Sequence, residues 1–538
     1  MKNLKYIYLA LLTVAFGFTS CSDRYLDPDL DGSYLNQEQL PSVEEVIGAM
    51  MRGTYTWMYE YSGHDEFGKR SIDMYTDILC GDMAMKSATY GWFETDERMM
   101  TRAYRTAYIW YQYYKTIRLC NLAINSLDEQ AGDAADRVPA LPLTGEETDE
   151  ELSNMYWYGQ CLALRGYAYA ELIRLYSDEE TDYNSTPVIP LYTENITSDL
   201  SVFGAPRVTP ADVYLRIEED LTQAIAYLDA TRELVDRSNK MQIDADVARN
   251  ILAYAYLNKI GATTADYDRA FRYATEVIKG GRYTILPQSR VLTSGFGDIT
   301  EASWMWGEPV TIENSTALGS FFGQVDIHTY SYAWAGDVKG IDANLYKDIP
   351  SWDLRKQWFE SKNEKYMYAP SRKFYNVSSG NTLAAGKIDR DWLNDQVFMR
   401  VESAYLTAAE AALKKTTPDL DSAFICLDAI LAQRVDTTAA AVTEYDNYKS
   451  QIQGKADELT EAIRLNWRVE LWGEGYGLQT FRRFGKQVSL GDNHLRPNSD
   501  RTISPSDYRF SFEPPTSESR YNPYWSSTTP PRELKHKQ

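Results

Sequence analysis

A mostly α-helical scaffold interrupted by one long irregular, loop-rich insertion is the fold class this sequence predicts, on three observations. Apolar residues recur at spacings of three and four over several stretches, the period of one helix face. Thr-Pro pairs stand ahead of such stretches, where a threonine cap and a proline in the first turn start a helix. Between residues 287 and 399 the period lapses, and Gly, Ser, Asn and Pro punctuate the chain instead.

In chain order, Lys2 and Lys5 precede an apolar run from Tyr6 to Phe18, and Thr19 and Ser20 then lead into Cys21. Basic start, apolar run and small residues form the order of a secretory signal. The cysteine at its end resembles a bacterial lipobox, in which the thiol is acylated before cleavage. Residues 1–20 are thus expected to be a lipoprotein signal peptide, Cys21 the lipid anchor (palmitate among its acyl chains), and 21–42 a tether. The apolar run is short for a bilayer span and no later stretch approaches 18 apolar residues, so lipid is the expected attachment to a membrane.

The first part of the helical scaffold is expected over 43–286. Residues 154–176 place Met155, Tyr158, Leu162, Gly166, Tyr169, Ile173 and Tyr176 on one stripe, and Ala163, Gly166 and Ala170 leave room for a close neighbouring helix. Thr209-Pro210, with Asp212 in the first turn, starts the next helix, which carries Val213, Ile217, Leu221, Ala224 and Leu228. Residues 244–260 and 266–279 read as a helix pair closed by Gly280-Gly281. The second part of the scaffold and a C-terminal tail fill 400–538, with a pair at 400–414 and 420–434, Thr417-Pro418 as its capping device, and a long helix over 457–473. Pairs with Ala, Tyr and Leu at helical spacing are similar to tetratricopeptide repeats of degenerate, unequal length, the alternative being an irregular bundle.

Composition narrows the function. With 55 basic and 77 acidic side chains the net charge is −22, which repels phosphate backbones and makes nucleic acid an unsuitable partner. Beside Cys21, the cysteines Cys80, Cys120, Cys161 and Cys426 match no metal spacing and are too few for a disulfide framework; buried thiols are expected, with one bridge left open. Tyr and Trp number 41 and 13 against 17 Phe. That bias favours rings with a polar edge, suited to surfaces apolar on one face and wet on the other.

Several patterns that suggest chemistry have plainer readings. Asp27, Asp29, Asp31, Gly32 and Glu38 satisfy an EF-hand calcium spacing, yet the flanking helices that fix such a loop are missing from the pattern. Gly473, Gly475 and Gly477 follow a helix, whereas a dinucleotide fingerprint follows a strand, so helix termination is expected. There is no His-Glu-x-x-His, no Gly-x-Ser-x-Gly and only four histidines, and among 77 acids no glycosidase pair stands out; no catalysis, cofactor or metal is expected. The positive signal is aromatic. The insertion 287–399 holds Trp304, Trp306, Trp334, Trp352, Trp358 and Trp392, six of thirteen tryptophans, and is read as the ligand-binding region. Tyr330, Tyr332 and Trp334 alternate, which on an extended segment puts all three on one side to stack on sugar rings, with Asp326, His328 and Asp337 as hydrogen-bonding neighbours.

The separated segments Cys21–Asp27, Val43–Trp57, Tyr158–Tyr176 followed by Pro187–Pro190, Phe398–Ala412, and Val469–Gly475 through Phe481–Gly485 together resemble the SusD/RagB family of Bacteroidetes surface lipoproteins. Asn466, Gly477 and Thr480 depart from the family's usual Glu, Arg and Asp. The resemblance implies a tetratricopeptide-like scaffold displaying an aromatic glycan site, a lipid-anchored place on the outer surface of the outer membrane, and a SusC-like TonB-dependent transporter as partner. It implies no enzyme, and it adds Trp92, in the loop-like stretch after Asp82, as a carbohydrate-binding candidate. Part of the family handles peptides, so peptide capture is the alternative, with a glycoside hydrolase behind it.

Overall fold

In a computed structural model the described residues are 43–87, 89–93, 105–129, 138–178, 180–194, 204–234, 240–293, 296–311, 313–315, 318–374, 393–495, 501–507 and 510–525. Cys21, the calcium-like spacing of Asp27–Glu38, and Trp392 lie outside them. The chain divides into two compact units, 1–46 and 47–538. Of the first, only 43–46 are described, as the opening residues of a helix.

The scaffold helices are α1 (Val43–Thr56), α2 (Lys69–Leu79), α3 (Arg105–Glu129), α4 (Asp149–Tyr176), α5 (Pro210–Ala230), α6 (Ala245–Leu257) and α7 (Thr264–Gly280). The insertion holds short helices: α8 (Phe321–Val325), α9 (Tyr332–Ala335) and α10 (Ala343–Asp348). Helices resume with α11 (Glu402–Lys414), α12 (Leu420–Leu431), α13 (Ala439–Ile452), α14 (Ala456–Glu470), α15 (Gly477–Phe484) and α16 (Thr516–Tyr521). Neighbours pack in sequence: α4 lies on α3 and α5, α5 on α6, α6 on α7, α7 on α11, and α11 on α12 and α14. This is a mostly helical array of the tetratricopeptide-like kind, as its periodicity predicts.

Local chemistry explains the boundaries. Thr209 and Asp212 form a reciprocal capping box at the start of α5, with Pro210 in the first turn, and Thr263 with Asp266 repeats the box at α7. Gly281, at φ 64°, closes α7 in the left-handed conformation that glycine adopts without strain. At α12 the expected Thr417-Pro418 cap is corrected. The cap is Asp419, whose Oδ1 accepts the Ser422 N–H at 2.9 Å, so the proline precedes the helix instead of opening it. The small-residue stripe does its expected work: a Cβ on Gly166 would stand 2.8 Å from Leu221 Cγ of α5.

Four antiparallel two-stranded pairs complete the fold among the described residues. Two are short, β2 (Ile189–Pro190) with β3 (Arg207–Val208) and β7 (Val488–Ser489) with β8 (Thr502–Ile503), and two fix the insertion: β1 (Met83–Met85) pairs with β5 (Lys339–Ile341), Met83 opposite Ile341, and β4 (Trp304–Glu308) pairs with β6 (Gln396–Arg400), Trp304 opposite Arg400. A buried ionic network holds the insertion to the C-terminal helices. Arg400 meets Glu402, Glu470 and Glu474 at 3.1, 2.9 and 2.9 Å. Arg434 meets Glu402 and Glu470 at 3.1 and 2.8 Å, Arg355 meets Glu470 at 3.1 Å, and Lys373 meets Glu474 at 2.8 Å. Burial works against the Glu470 charge, and Arg434, Arg400 and Arg355 outweigh it, holding its carboxyl well below the usual range. Removing one member of such a network strands buried charge, so it fixes geometry more surely than it adds stability.

The glycines after α14 end the helix, as expected. Gly473 and Gly475 take φ 74° and 84°, and the Gly473 and Gly477 N–H groups donate to Asp77 at 2.8 and 3.1 Å. A protein carboxyl group thus occupies the donors that a phosphate loop would keep open.

Candidate functional site

The β1–β5 pair sets the site, because it lays the chain after Met85 beside the chain before Lys339. The Ser87 hydroxyl then donates to Gly336 O at 3.0 Å and to Asp337 Oδ1 at 3.1 Å. Trp92 is aimed by its neighbour. Phe93 takes φ 57°, a rare conformation for a bulky side chain, and is held there by complete burial against Tyr75 and Phe67.

Five rings converge here, Trp92 among them. Tyr90 stacks on it with centroids 5.0 Å apart and planes at 10°, and His64 stacks at 4.6 Å and 29°. Tyr332 meets Trp92 edge-on at 4.4 Å, and its hydroxyl lies 2.8 Å from His64 Nδ1. Tyr61 closes the group against His64 at 5.7 Å and lies flat on Gly319, where a Cβ would sit 2.1 Å from the ring. Gln324 Nε2 donates to His64 O at 2.6 Å and fastens that turn to α8.

The segment 330–334 is not extended, and the one-sided arrangement is corrected. Ser331 caps the one-turn helix α9, its Oγ accepting the Trp334 N–H at 3.0 Å. A helical turn brings residues four apart together, so Tyr330 and Trp334 pair at 5.6 Å while Tyr332 turns into the Trp92 group. Tyr330 and Trp334 are 49% and 42% exposed against 9% for Tyr332. Lys365 Nζ sits 5.2 Å from the Trp334 ring centroid, and both it and Tyr366 OH donate to Trp334 O, at 2.7 and 3.0 Å.

Asp337 follows this turn in the chain. It is buried, and its Oδ2 pairs with Lys339 Nζ at 3.2 Å while Oδ1 takes the Ser87 hydroxyl, a supporting position under the surface. Burial drives the Lys339 ammonium below its ordinary value, and Asp337 counters it. Asp326 is likewise buried and bonded within its own turn, and His328 Nε2 lies 3.1 Å from Ser371 O.

The tryptophan excess in the insertion is mostly packing. Trp304, Trp306, Trp352 and Trp358 are buried, Trp306 and Trp358 donating to the carbonyls of Met241 and Val291 at 3.0 and 2.9 Å. Cys80, Cys120, Cys161 and Cys426 are buried free thiols. Sequence reasoning missed Tyr61, His64, Tyr90, Lys365 and Tyr366. Tyr90-Gly91-Trp92, two rings around a glycine, carried a readable signal; Tyr61 and His64 carried none.

The arrangement suits binding. Exposed ring faces can take the apolar C–H face of a sugar, and His64, Ser87 and Lys365 lie among them with hydrogen-bonding groups. Among the described residues no group of three or more His, Cys, Asp or Glu could hold a metal ion. A separate cavity of about 50 Å³ inside the scaffold, lined by Lys69, Asp73, Glu171, Arg174 and Tyr254 among others, has room for waters and not for a sugar ring.

Residues 24–252 match a family described as SusD-like, "Starch-binding associating with outer membrane", and residues 331–528 match the SusD family shared with RagB. No curated protein matches the sequence. Among solved structures, a SusD superfamily protein from Bacteroides thetaiotaomicron superposes with TM-score 0.68 at 20% identity, over 89% of this chain and 98% of its own. A SusD-like carbohydrate binding protein from Bacteroides vulgatus does so with TM-score 0.67 at 21% identity, over 89% and 97%. A further SusD superfamily protein from Bacteroides vulgatus gives 0.67 at 18%, over 90% and 99%. With both segments matched in order, and the fold shared along nearly its whole length, the chain belongs to the SusD/RagB-like family.

Proposed function

We propose that this protein captures oligosaccharide outside the cell, held to the outer membrane by lipid on Cys21, and passes it to a SusC-like TonB-dependent transporter. The observation that carries the reading is the convergence of Tyr61, His64, Tyr90, Trp92 and Tyr332, next to the exposed pair Tyr330 and Trp334. A sugar ring laid on these faces exchanges apolar contact with water for contact with aromatic carbon, and its hydroxyls keep partners at the rim. No bond is made or broken and no cofactor is required. The matched family's association with the outer membrane supports the location, and among the described residues no helix is long and apolar enough to cross a membrane. A body of this kind needs a partner to move its ligand inward, which is the role given to the transporter.

Retention of the purified chain on an oligosaccharide array, with an assay for new reducing ends and a parallel peptide library, tests the reading. One glycan class should be retained without cleavage. Retention of peptides alone, or release of new reducing ends, would replace capture of glycan by one of its rivals. Gently solubilised native membranes should also yield the tagged protein with a large β-barrel; repeated recovery of the monomer alone removes the importer.

A further inference from the structure

In a chain with 77 acids against 55 bases, ammonium groups gathered at one place without carboxylate partners are unexpected. Two are tied to carbonyls of neighbouring turns, one at Trp334 and one at Glu364. Lys365 Nζ hangs over the Trp334 and Tyr366 rings at 5.2 and 4.8 Å and donates to Trp334 O, while Lys86 Nζ donates to Glu364 O at 2.7 Å. Both side chains are exposed, and among the described residues neither forms an ion pair with a carboxylate. Each carbonyl bond occupies one of the three protons of its ammonium, which leaves the others to point outward.

The acids nearby are already engaged. Glu360 Oε1 accepts the N–H groups of Ser361, Lys362 and Asn363, at 2.9, 2.7 and 3.1 Å. Asp337 is buried against Lys339, and Asp326 is buried in its own turn. Glu364 keeps an exposed carboxylate bonded to neither lysine, its backbone carbonyl alone taking Lys86, on the hairpin that also exposes Lys362 and Arg372. The turn is firmly placed, because Arg355 before it and Lys373 after it are fixed in the buried network. The net negative charge of the whole body does not cancel this local excess, since at physiological salt fields fade over about 8 Å.

We propose that the site takes an anionic glycan, one bearing carboxylate or sulfate groups on the sugar rim, and that Lys365 and Lys86 read that charge while Tyr330 and Trp334 stack the ring. This rests on the glycan-capture reading above and narrows its ligand class. Calorimetric titration of the purified chain with oligogalacturonate, sulfated carrageenan oligosaccharide, maltohexaose and xylohexaose tests it, the first two arms separating carboxylate from sulfate. One anionic arm should bind. Lys365→Gln and Lys86→Gln should each weaken it by roughly tenfold, the loss expected of one charge-assisted hydrogen bond. Lys365→Arg, which keeps the charge, should keep binding, and melting temperatures serve as the folding control. A neutral arm binding as tightly as either anionic one, or anionic binding indifferent to both lysine replacements, overturns this inference and leaves glycan capture standing. No binding in any arm overturns both.

Discussion

Trp334 and Trp306 show how differently one residue type serves this chain. Trp334 is 42% exposed with Lys365 over one face, whereas Trp306 is wholly buried and bonded to Met241 O. Trp334→Ala should therefore weaken oligosaccharide binding by about 1–3 kcal/mol, as loss of other aromatic stacking does. Its melting temperature should hardly move, whereas truncating a core tryptophan costs about 3–5 kcal/mol of stability. Titration and a melting curve on one preparation decide it, and unchanged affinity with a large loss of stability would make Trp334 a packing residue. At this scale the sequence was only partly legible. Trp334 could be singled out, yet composition could not separate it from Trp304, Trp306, Trp352 and Trp358, because burial is decided by which strand or turn each sits on.

Helices were far more legible than the site, since apolar period and caps are local. Thr209-Pro210 with Asp212 marks the start of α5, and Gly281 the end of α7, each signal lying within a few residues of the boundary it sets. The turn at 330–334 was not legible: alternating rings suit a strand, and only the Ser331 cap, with Trp334 N–H on its hydroxyl, makes the segment helical. Interfaces between helices fall between these cases. Gly166 was readable as a close-approach position, and the 2.8 Å gap to Leu221 makes the demand definite. Gly166→Val should cost about 1–3 kcal/mol through overpacking of α4 on α5, even though leaving glycine behind removes a helix penalty of about 1 kcal/mol. Urea unfolding midpoints measure the balance, and an unchanged or higher midpoint would show that α5 yields at no cost.

The ends of the molecule are joined through a proton. Asp77 on α2 holds the Gly473–Gly477 turn, 400 residues away at its far contact. Burial pushes its carboxyl up to about 8, with Asp82 and Asp73 adding to the effect. The native state therefore keeps a proton that the unfolded chain releases near its ordinary value of 3.8, and stability falls as pH rises from there to about 8 and levels beyond. Asp77→Asn should flatten that slope, by at most about 1.4 kcal/mol per pH unit, while lowering the level because an amide offers one acceptor to two N–H groups. Urea midpoints of both proteins between about pH 5 and 7.5 read the slope, and parallel curves would place the proton elsewhere. Sequence order also sets a timetable for the proposed site. Tyr332 follows its partner His64 by 268 residues. At synthesis rates of about 5–20 residues per second that is a wait of roughly 13–54 s. Through that interval His64, Tyr90 and Trp92 have one another but lack Tyr332, the ring that joins them to the turn of Tyr330 and Trp334. The growing chain is thus blind to its ligand for most of its own making.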